Sequence, residues 1–421
     1  MSKIKRARLS NGVYFNEVRD SRFKTMKISA NIIVPLSESS ASANAVLCGV
    51  LSRSCEAYPD FTALSKKLSS LYGAELSATI RKIGDNQMLS ISASGLDDRY
   101  TLGGESVARE LSELLCGVIF KPNLKGNAFD LSEVEQEQRQ LLDVIDSEFN
   151  DKRQYAVGQM VRNMCADEVF GMKRYGTAEK IKEVTPESLY DTWRDLLKTA
   201  VFEILYIGDS SPEKAVDVFG RAFSGVERAP EIARTDVIRT AGDVTRVIEE
   251  MDVAQSKLVM GFRAGNALPE SEAYASMLMC AILGGTANSK LFCNVREKQS
   301  LCYYCASQYD KNKGIMMIDS GVEGENVEKL EAGVLKEIED MKNGVISDFE
   351  IEATKMALVN FFQSSNDTVS GIESWYASQL IGDGFKSIEE MSGIIQSVTK
   401  EQVVAAANKL ALDTVYLLKN K

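Results

Sequence analysis

The feature that most constrains the fold of this chain is an internal repeat. One order of strand and helix patterns runs through its 421 residues twice. An alternating β-rich run at 26–34 returns at 256–262, and an apolar helical stretch follows each, at 43–51 and at 274–283. In these stretches Cys48-Gly49-Val50-Leu51 lines up with Cys280-Ala281-Ile282-Leu283. A helix leading into a strand comes next, 64–72 before 74–80 in the first copy and 289–298 before 301–307 in the second. The clearest echo is a strand that ends in Ser-Gly, at Ser94-Gly95 and again at Ser320-Gly321. Behind it runs an amphipathic helix, striped by Val107, Leu111 and Leu114 and later by Val327, Leu330, Val334, Ile338 and Met341, with Gly344 placed to stop the second. Each copy closes with a Val-Thr pair, a helix and a strand, in which Thr185 and Thr399 read as N-caps and Pro186 as a first helical residue.

A duplication of this kind predicts an α+β protein: two domains of similar architecture, each a mainly antiparallel sheet packed with helices. The segment around Gly225, Pro230 and Arg234 has no sustained period and holds one of only seven prolines. The expected division is a first domain over 1–224, a linker over 225–240 and a second domain over 241–421.

Composition then limits the chemistry. The chain has no histidine, so it lacks the side chain that most often serves as general acid or base, metal ligand, or partner of a Ser or Cys nucleophile. With 49 basic and 60 acidic residues the net charge is −11, and no block of like charge stands out, which argues against a nucleic-acid surface. The N-terminal Met1-Ser2-Lys3-Ile4-Lys5-Arg6 is followed by polar residues, and no stretch approaches the roughly 18 apolar residues that span a bilayer, so a cytoplasmic location is expected. Eight scattered cysteines are too sparse for a disulfide scaffold and read as free, mostly buried thiols.

The run from Asn288 to Tyr304 includes Ser289-Lys290-Leu291-Phe292 and Arg296-Glu297-Lys298-Gln299-Ser300-Leu301-Cys302-Tyr303, preceded by Gly284-Gly285. Within a tandem α+β duplication it resembles the second-domain signature of the insulinase/pitrilysin-type zinc metallopeptidases, the family of the mitochondrial processing peptidase. The resemblance covers essentially the whole chain. Active members carry an inverted motif, His-x-x-Glu-His, on the apolar helix of the first domain, where the histidines bind zinc and the Glu activates water. The matching positions here are Ala45-Val46-Leu47-Cys48-Gly49, so the resemblance implies that both ligands are lost, as Ala45 and Gly49, and the base as Cys48. The distal Glu ligand is expected within 142–145, where no Glu stands and Asp143 is nearby. In the family's two-chain enzymes the zinc-less subunit keeps an Arg and a Tyr seven residues apart, and Arg296 and Tyr303 have that spacing. A guanidinium fork and a phenol hydroxyl so placed can hold a peptide carbonyl.

Blander readings stand beside these. Arg296 can form a surface ion pair with Glu297, and Tyr303 can pack at a sheet edge. Cys302-Tyr303-Tyr304-Cys305 has a C-x-x-C form, but in a regular strand residues three apart face opposite sides, so two structural thiols are expected. The Glu- and Gln-rich helix at 131–149 carries an apolar stripe of Val134, Leu141, Leu142, Ile145 and Phe149, and its charges read as a solvated face. Gly284-Gly285-Thr286-Ala287 lacks the Lys-Ser/Thr of a phosphate loop and reads as a turn.

Taken together, the resemblance implies a non-catalytic, peptide-binding subunit of a heterodimeric zinc metallopeptidase. It would hold no cofactor of its own, with zinc in a homologous partner subunit, and would bind neither nucleic acid nor membrane. The alternatives are a structural or assembly protein and a homodimeric peptide-binding chamber.

Overall fold

The computed structural model describes residues 4–231, 234–382 and 384–421; Met1, Ser2 and Lys3 of the N-terminal reading and Ile232 and Ala233 of the expected linker lie outside them. The chain forms eleven strands among the described residues: β1 (Lys5–Ser10), β2 (Val13–Arg19), β3 (Thr25–Pro35), β4 (Glu75–Ile83), β5 (Asn86–Leu96), β6 (Val201–Gly208), β7 (Thr245–Met251), β8 (Ser256–Arg263), β9 (Cys302–Asp310), β10 (Ile315–Val322) and β11 (Ala411–Asn420). They build two sheets, ordered β1-β2-β6-β3-β5-β4 and β7-β11-β8-β10-β9. All pairs are antiparallel except β2 with β6 and β7 with β11. Apart from the extra edge strand β1, the two orders are the same, so the sequence repeat is a repeat of topology and the protein is a duplicated α+β fold.

The chain sorts into two compact units. The first comprises 1–145, 172–234 and 365–387; the second comprises 146–171, 235–364 and 388–421. Each therefore includes one segment from the opposite half of the sequence.

The need for these segments can be read from the central strands. In β3, Met26, Ile28, Ala30, Ile32 and Val34 point into the main core of the first unit, with Val46, Leu47, Val50 and Leu51 of the helix Ala41–Leu51 and Val107 and Leu111 of the helix Val107–Phe120. The opposite face is buried too. Val18, Leu205 and Ile207 pack there under Val369, Ile372 and Tyr376 of the helix Val369–Ala377. On that face Ser29 Oγ donates to Glu373 Oε1 at 2.8 Å, and Lys27 Nζ lies 3.5 Å from Glu373 Oε2.

In the second unit the helix Lys152–Met164 has the same role. Ala156, Met160 and Met164 cover Val259, Ile315, Tyr416 and Leu418. A Cβ at Gly261 would stand 2.5 and 2.7 Å from the Met160 and Met164 sulfurs, so the glycine lets these side chains pack directly on β8. Burying a residue such as Val259 or Leu418 stabilises by about 1.5–3 kcal/mol, so an uncovered face would forfeit several such contributions.

Polar contacts fix the covering segment of the second unit. Glu168 Oε1 accepts from Arg263 Nη2 at 2.6 Å, its Oε2 lies 2.9 Å from Lys313 Nζ, and Arg263 Nε donates to Asp413 Oδ2 at 2.9 Å. Lys313 is fully buried and the Arg263 side chain nearly so. Burial works against a charged Glu168, but the hydrogen bonds and charges of Arg263 and Lys313 outweigh it and hold its pKa below the ordinary 4.5.

Local signals behave as the sequence suggests. Thr185 caps the helix Pro186–Thr199 in a reciprocal box with Ser188, and Thr399 caps Lys400–Lys409 with Gln402. Gly344, at φ +76°, follows the end of the helix Val327–Lys342. Among the described residues no helix is long and apolar enough to cross a membrane.

Removing one member of a buried charge cluster strands the others, so Glu168→Gln should cost about 3–5 kcal/mol, read as a lower urea midpoint. The sign of the pH dependence follows from the lowered pKa of Glu168. Its contribution is present above the unfolded carboxylate pKa and is lost as pH falls through the folded value, so Glu168→Gln should flatten the acid limb of the stability profile below about pH 4.5.

Candidate functional site

The helix Ala41–Leu51 carries Ala45, Cys48 and Gly49, the positions that the resemblance aligns with the zinc motif. Ala45 and Cys48 are buried, and the Cys48 Sγ lies 3.7 Å from the Thr79 carbonyl oxygen of β4. Burial, reinforced by the charge of Glu137, pushes the Cys48 thiol up to about 12, so it keeps its proton.

The carboxylate facing this helix is Glu137, in the long helix Leu131–Asn150. A Cβ added at Gly49 would run into the Glu137 carboxylate, whose Cδ lies 2.7 Å from where that Cβ would stand. The other oxygen, Oε1, accepts from Arg53 Nη1 at 2.6 Å. One turn earlier Glu133 Oε2 accepts from Ser54 Oγ at 3.0 Å, and burial raises its pKa.

This corrects two expectations. The acidic group at the motif helix is not within 142–145, where Leu142 and Ile145 pack against the core, and the charges of the long helix are not all on a solvated face. Glu137 falls three residues after Val134 and four before Leu141, inside the apolar stripe. A Glu in such a stripe was the available signal.

The donor set does not fit zinc. Ala45 and Gly49 offer no ligand atom, Cys48 is held as a neutral thiol, and the Glu137 carboxylate is taken by the Arg53 guanidinium. Among the described residues no group of three metal-ligating side chains is assembled.

Arg296 and Tyr303 belong to the second unit. Arg296 lies in the helix Leu291–Lys298, wound in the wide π form that recurs at functional sites. Tyr303 lies on β9, the edge strand of its sheet. A short turn joins them, with the amide of Ser300 donating to the Arg296 carbonyl and that of Leu301 to the Val295 carbonyl. Arg296 is 3.6 Å from Glu297 Oε1, with its guanidinium 4.7 Å from the Phe292 ring centre. Tyr303 is 61% exposed and donates to Glu323 Oε1 at 3.0 Å, a bond that raises its pKa. Each thus rests on its own carboxylate, at the surface. Tyr303 and Glu323 also line an open pocket of about 580 Å³ with Lys152, Asp252, Gln255 and Lys257.

The strand that carries Tyr303 is irregular. Gly321 of β10 pairs with Tyr304, but the next residue, Val322, pairs with Cys302, so Tyr303 is the extra residue of a β-bulge. A Cβ at Gly321 would stand 2.6 Å from the Tyr304 ring, so the glycine makes room for Tyr304, over which the Arg153 guanidinium lies at 4.4 Å. The bulge overturns the expectation that Cys302 and Cys305 face opposite sides: they pair with Val322 and Ser320, two residues apart on β10, and so share a face. No residue pattern in the sequence marks such a bulge.

The sequence model of the peptidase M16 inactive domain matches residues 183–358, which include Arg296 and Tyr303. A probable inactive metalloprotease of Bacillus subtilis is 29% identical over 408 residues, 97% of this chain and 96% of that protein. Over most of its length the chain is thus similar to a probable inactive metalloprotease, and over 183–358 to the M16 inactive domain. A conserved protein from Enterococcus faecalis has the same fold over 100% of this chain and 99% of its own, with a TM-score of 0.92 at 26% identity. An M16 inactive domain from Pseudomonas fluorescens matches in fold at a TM-score of 0.79 and 17% identity, over 100% of this chain and 98% of its own. An uncharacterized zinc protease of Bacillus subtilis is 23% identical over 168 residues, 39% of this chain and 41% of that protein. In this chain a carboxylate–guanidinium pair, Glu137 and Arg53, stands beside the helix on which the resemblance places the zinc motif.

The contact between Gly49 and Glu137 gives a direct test. Gly49→Ala should destabilise by about 1–3 kcal/mol through overpacking, and the cost should shrink in a Glu137→Ala background, because the clashing atoms are gone. Thermal unfolding of the two single variants and the double variant measures that coupling.

Proposed function

We propose that this M16 homologue is a non-catalytic subunit that binds peptide through Arg296 and Tyr303 while a zinc-bearing homologue supplies the catalytic metal. One observation carries the reading: the motif helix is closed against zinc by Gly49, Glu137 and Arg53, whereas Arg296, on the helix Leu291–Lys298, and Tyr303, on the edge strand β9, lie at the surface. A peptide carbonyl offered to them would replace Glu297 and Glu323 as acceptors. Exposed pairs of this kind contribute only about 0–1 kcal/mol, so the exchange costs little. A guanidinium and a phenol aimed at one carbonyl can orient a scissile peptide and stabilise oxyanion charge in a neighbouring active site.

The presence in Bacillus subtilis of both a probable inactive metalloprotease and an uncharacterized zinc protease similar to this chain supports a pairing of the two types. The eight unpaired thiols support a cytoplasmic setting.

The reading is tested by capturing the tagged chain from its native lysate and assaying zinc and peptide turnover. Zinc in a complex with a His-x-x-Glu-His homologue, and none in the isolated chain, is the expected result. In that complex Arg296→Ala and Tyr303→Phe should each lower turnover by roughly 10²- to 10³-fold with assembly intact. Unchanged turnover would move the assignment to a structural or assembly role, a metal-free homodimer to a peptide-binding chamber, and stoichiometric zinc in the isolated chain would overturn the argument from lost ligands.

A further inference from the structure

The bulge at Tyr303 places two thiols together in a chain whose other cysteines are dispersed. Cys305 is buried, whereas Cys302 is half-buried and open to small reagents. The neighbouring Cys305 thiol, aided by the nearby Arg296 charge, lowers the pKa of Cys302 against the opposing effect of burial. The proximity of Cys302, with burial, raises that of Cys305. Burial pushes Cys48, Cys116, Cys165 and Cys280 up to about 12, which leaves them poor nucleophiles. A partly accessible thiol, activated by a guanidinium and set on the same strand face as a second thiol, has the arrangement of an attacking cysteine with its resolving partner.

We propose that Cys302 and Cys305 form a reversible redox pair, whose disulfide contracts the bulge that carries Tyr303. The oxidant is a hydroperoxide. The Cys302 thiolate attacks the peroxide oxygen, the O–O bond breaks, and Cys302 sulfenic acid forms as the leaving oxygen takes a proton and departs as water or alcohol. The Cys305 sulfur then attacks the Cys302 sulfur; the S–O bond breaks, the hydroxide takes the Cys305 proton and leaves as a second water. Two thiols lose two electrons and the peroxide gains them.

Geometry ties this chemistry to Tyr303. Residues three apart in an extended strand are about 10 Å apart at Cα, while a disulfide draws its Cα atoms to about 5.5–6 Å. The bulge starts the shortening and the bond must complete it, so the unpaired residue between them moves. Such a closed pair is strained and easily reduced, which suits a reversible switch. The effect on peptide binding rests on the function proposed for Tyr303; the dithiol chemistry does not.

The test uses the full-length chain, reduced and then exposed to hydrogen peroxide, with the remaining thiols alkylated and the tryptic peptide 299–311 weighed. An internal disulfide in that peptide, reopened by dithiothreitol, is expected. Cys305→Ser should stop at a Cys302 sulfenic acid that dimedone captures, and Cys302→Ser should leave Cys305 reduced. In the untreated protein Cys302 should alkylate at least about tenfold faster than Cys305. Two alkylatable thiols after peroxide, or Cys302 driven to sulfinic acid beside a free Cys305, would overturn the pair. In the peptidase complex, oxidation should lower turnover in the wild type but not in Cys302→Ser. A disulfide that forms without changing turnover would overturn the link to Tyr303 alone. Because the thiol measurements need neither partner nor peptide, their failure is distinct from a failure of the peptide-binding reading.

Discussion

Both sheets have two faces to bury, and the fold follows from that requirement. A strand such as β3 sends Ile28, Ala30 and Ile32 into one core, while the other face of its sheet, with Val18, Leu205 and Ile207, needs a cover of its own. The helices adjacent in sequence supply only the first. The second comes from a distant segment: Val369–Ala377 in one unit, Lys152–Met164 in the other. The long connections, the buried charge cluster at Glu168 and the glycine at 261 all serve to deliver and seat such a cover.

The same scaffold brings the long helix Leu131–Asn150 alongside the motif helix, and there the consequence is chemical. Where a metal site needs three convergent donors, this chain has one carboxylate, and a guanidinium neutralises it. Gly49 is small enough to let that carboxylate approach. If the zinc motif aligns as the resemblance implies, its space is filled by a largely buried ion pair, and a larger side chain at 49 alone would collide with it. Arg296 and Tyr303 stand in the opposite situation, at the surface and paired with solvent-facing carboxylates that a ligand can replace.

Much of the fold was legible in the residues themselves. The repeat, the strand and helix order, the Thr185 and Thr399 caps and the stop at Gly344 all rest on local periodicity and capping chemistry, which neighbouring residues largely decide. The candidate site was half legible. The positions Ala45, Cys48 and Gly49 and the pair Arg296 and Tyr303 were named from the resemblance and the residue types, and Glu137 left a trace as an acid in an apolar stripe. Its partner Arg53 did not, because residues 84 apart carry no mutual signal in a single sequence.

What the sequence by itself determined is the duplicated α+β plan and the absence of imidazole chemistry, since both follow from patterns and residue types along the chain. The tertiary structure alone decided which helix covers which sheet, that Glu137 meets Gly49, and that a bulge opposite Val322 turns Cys302 toward Cys305. These depend on strand register and on packing between distant segments, where a shift of one residue reverses which way a side chain faces.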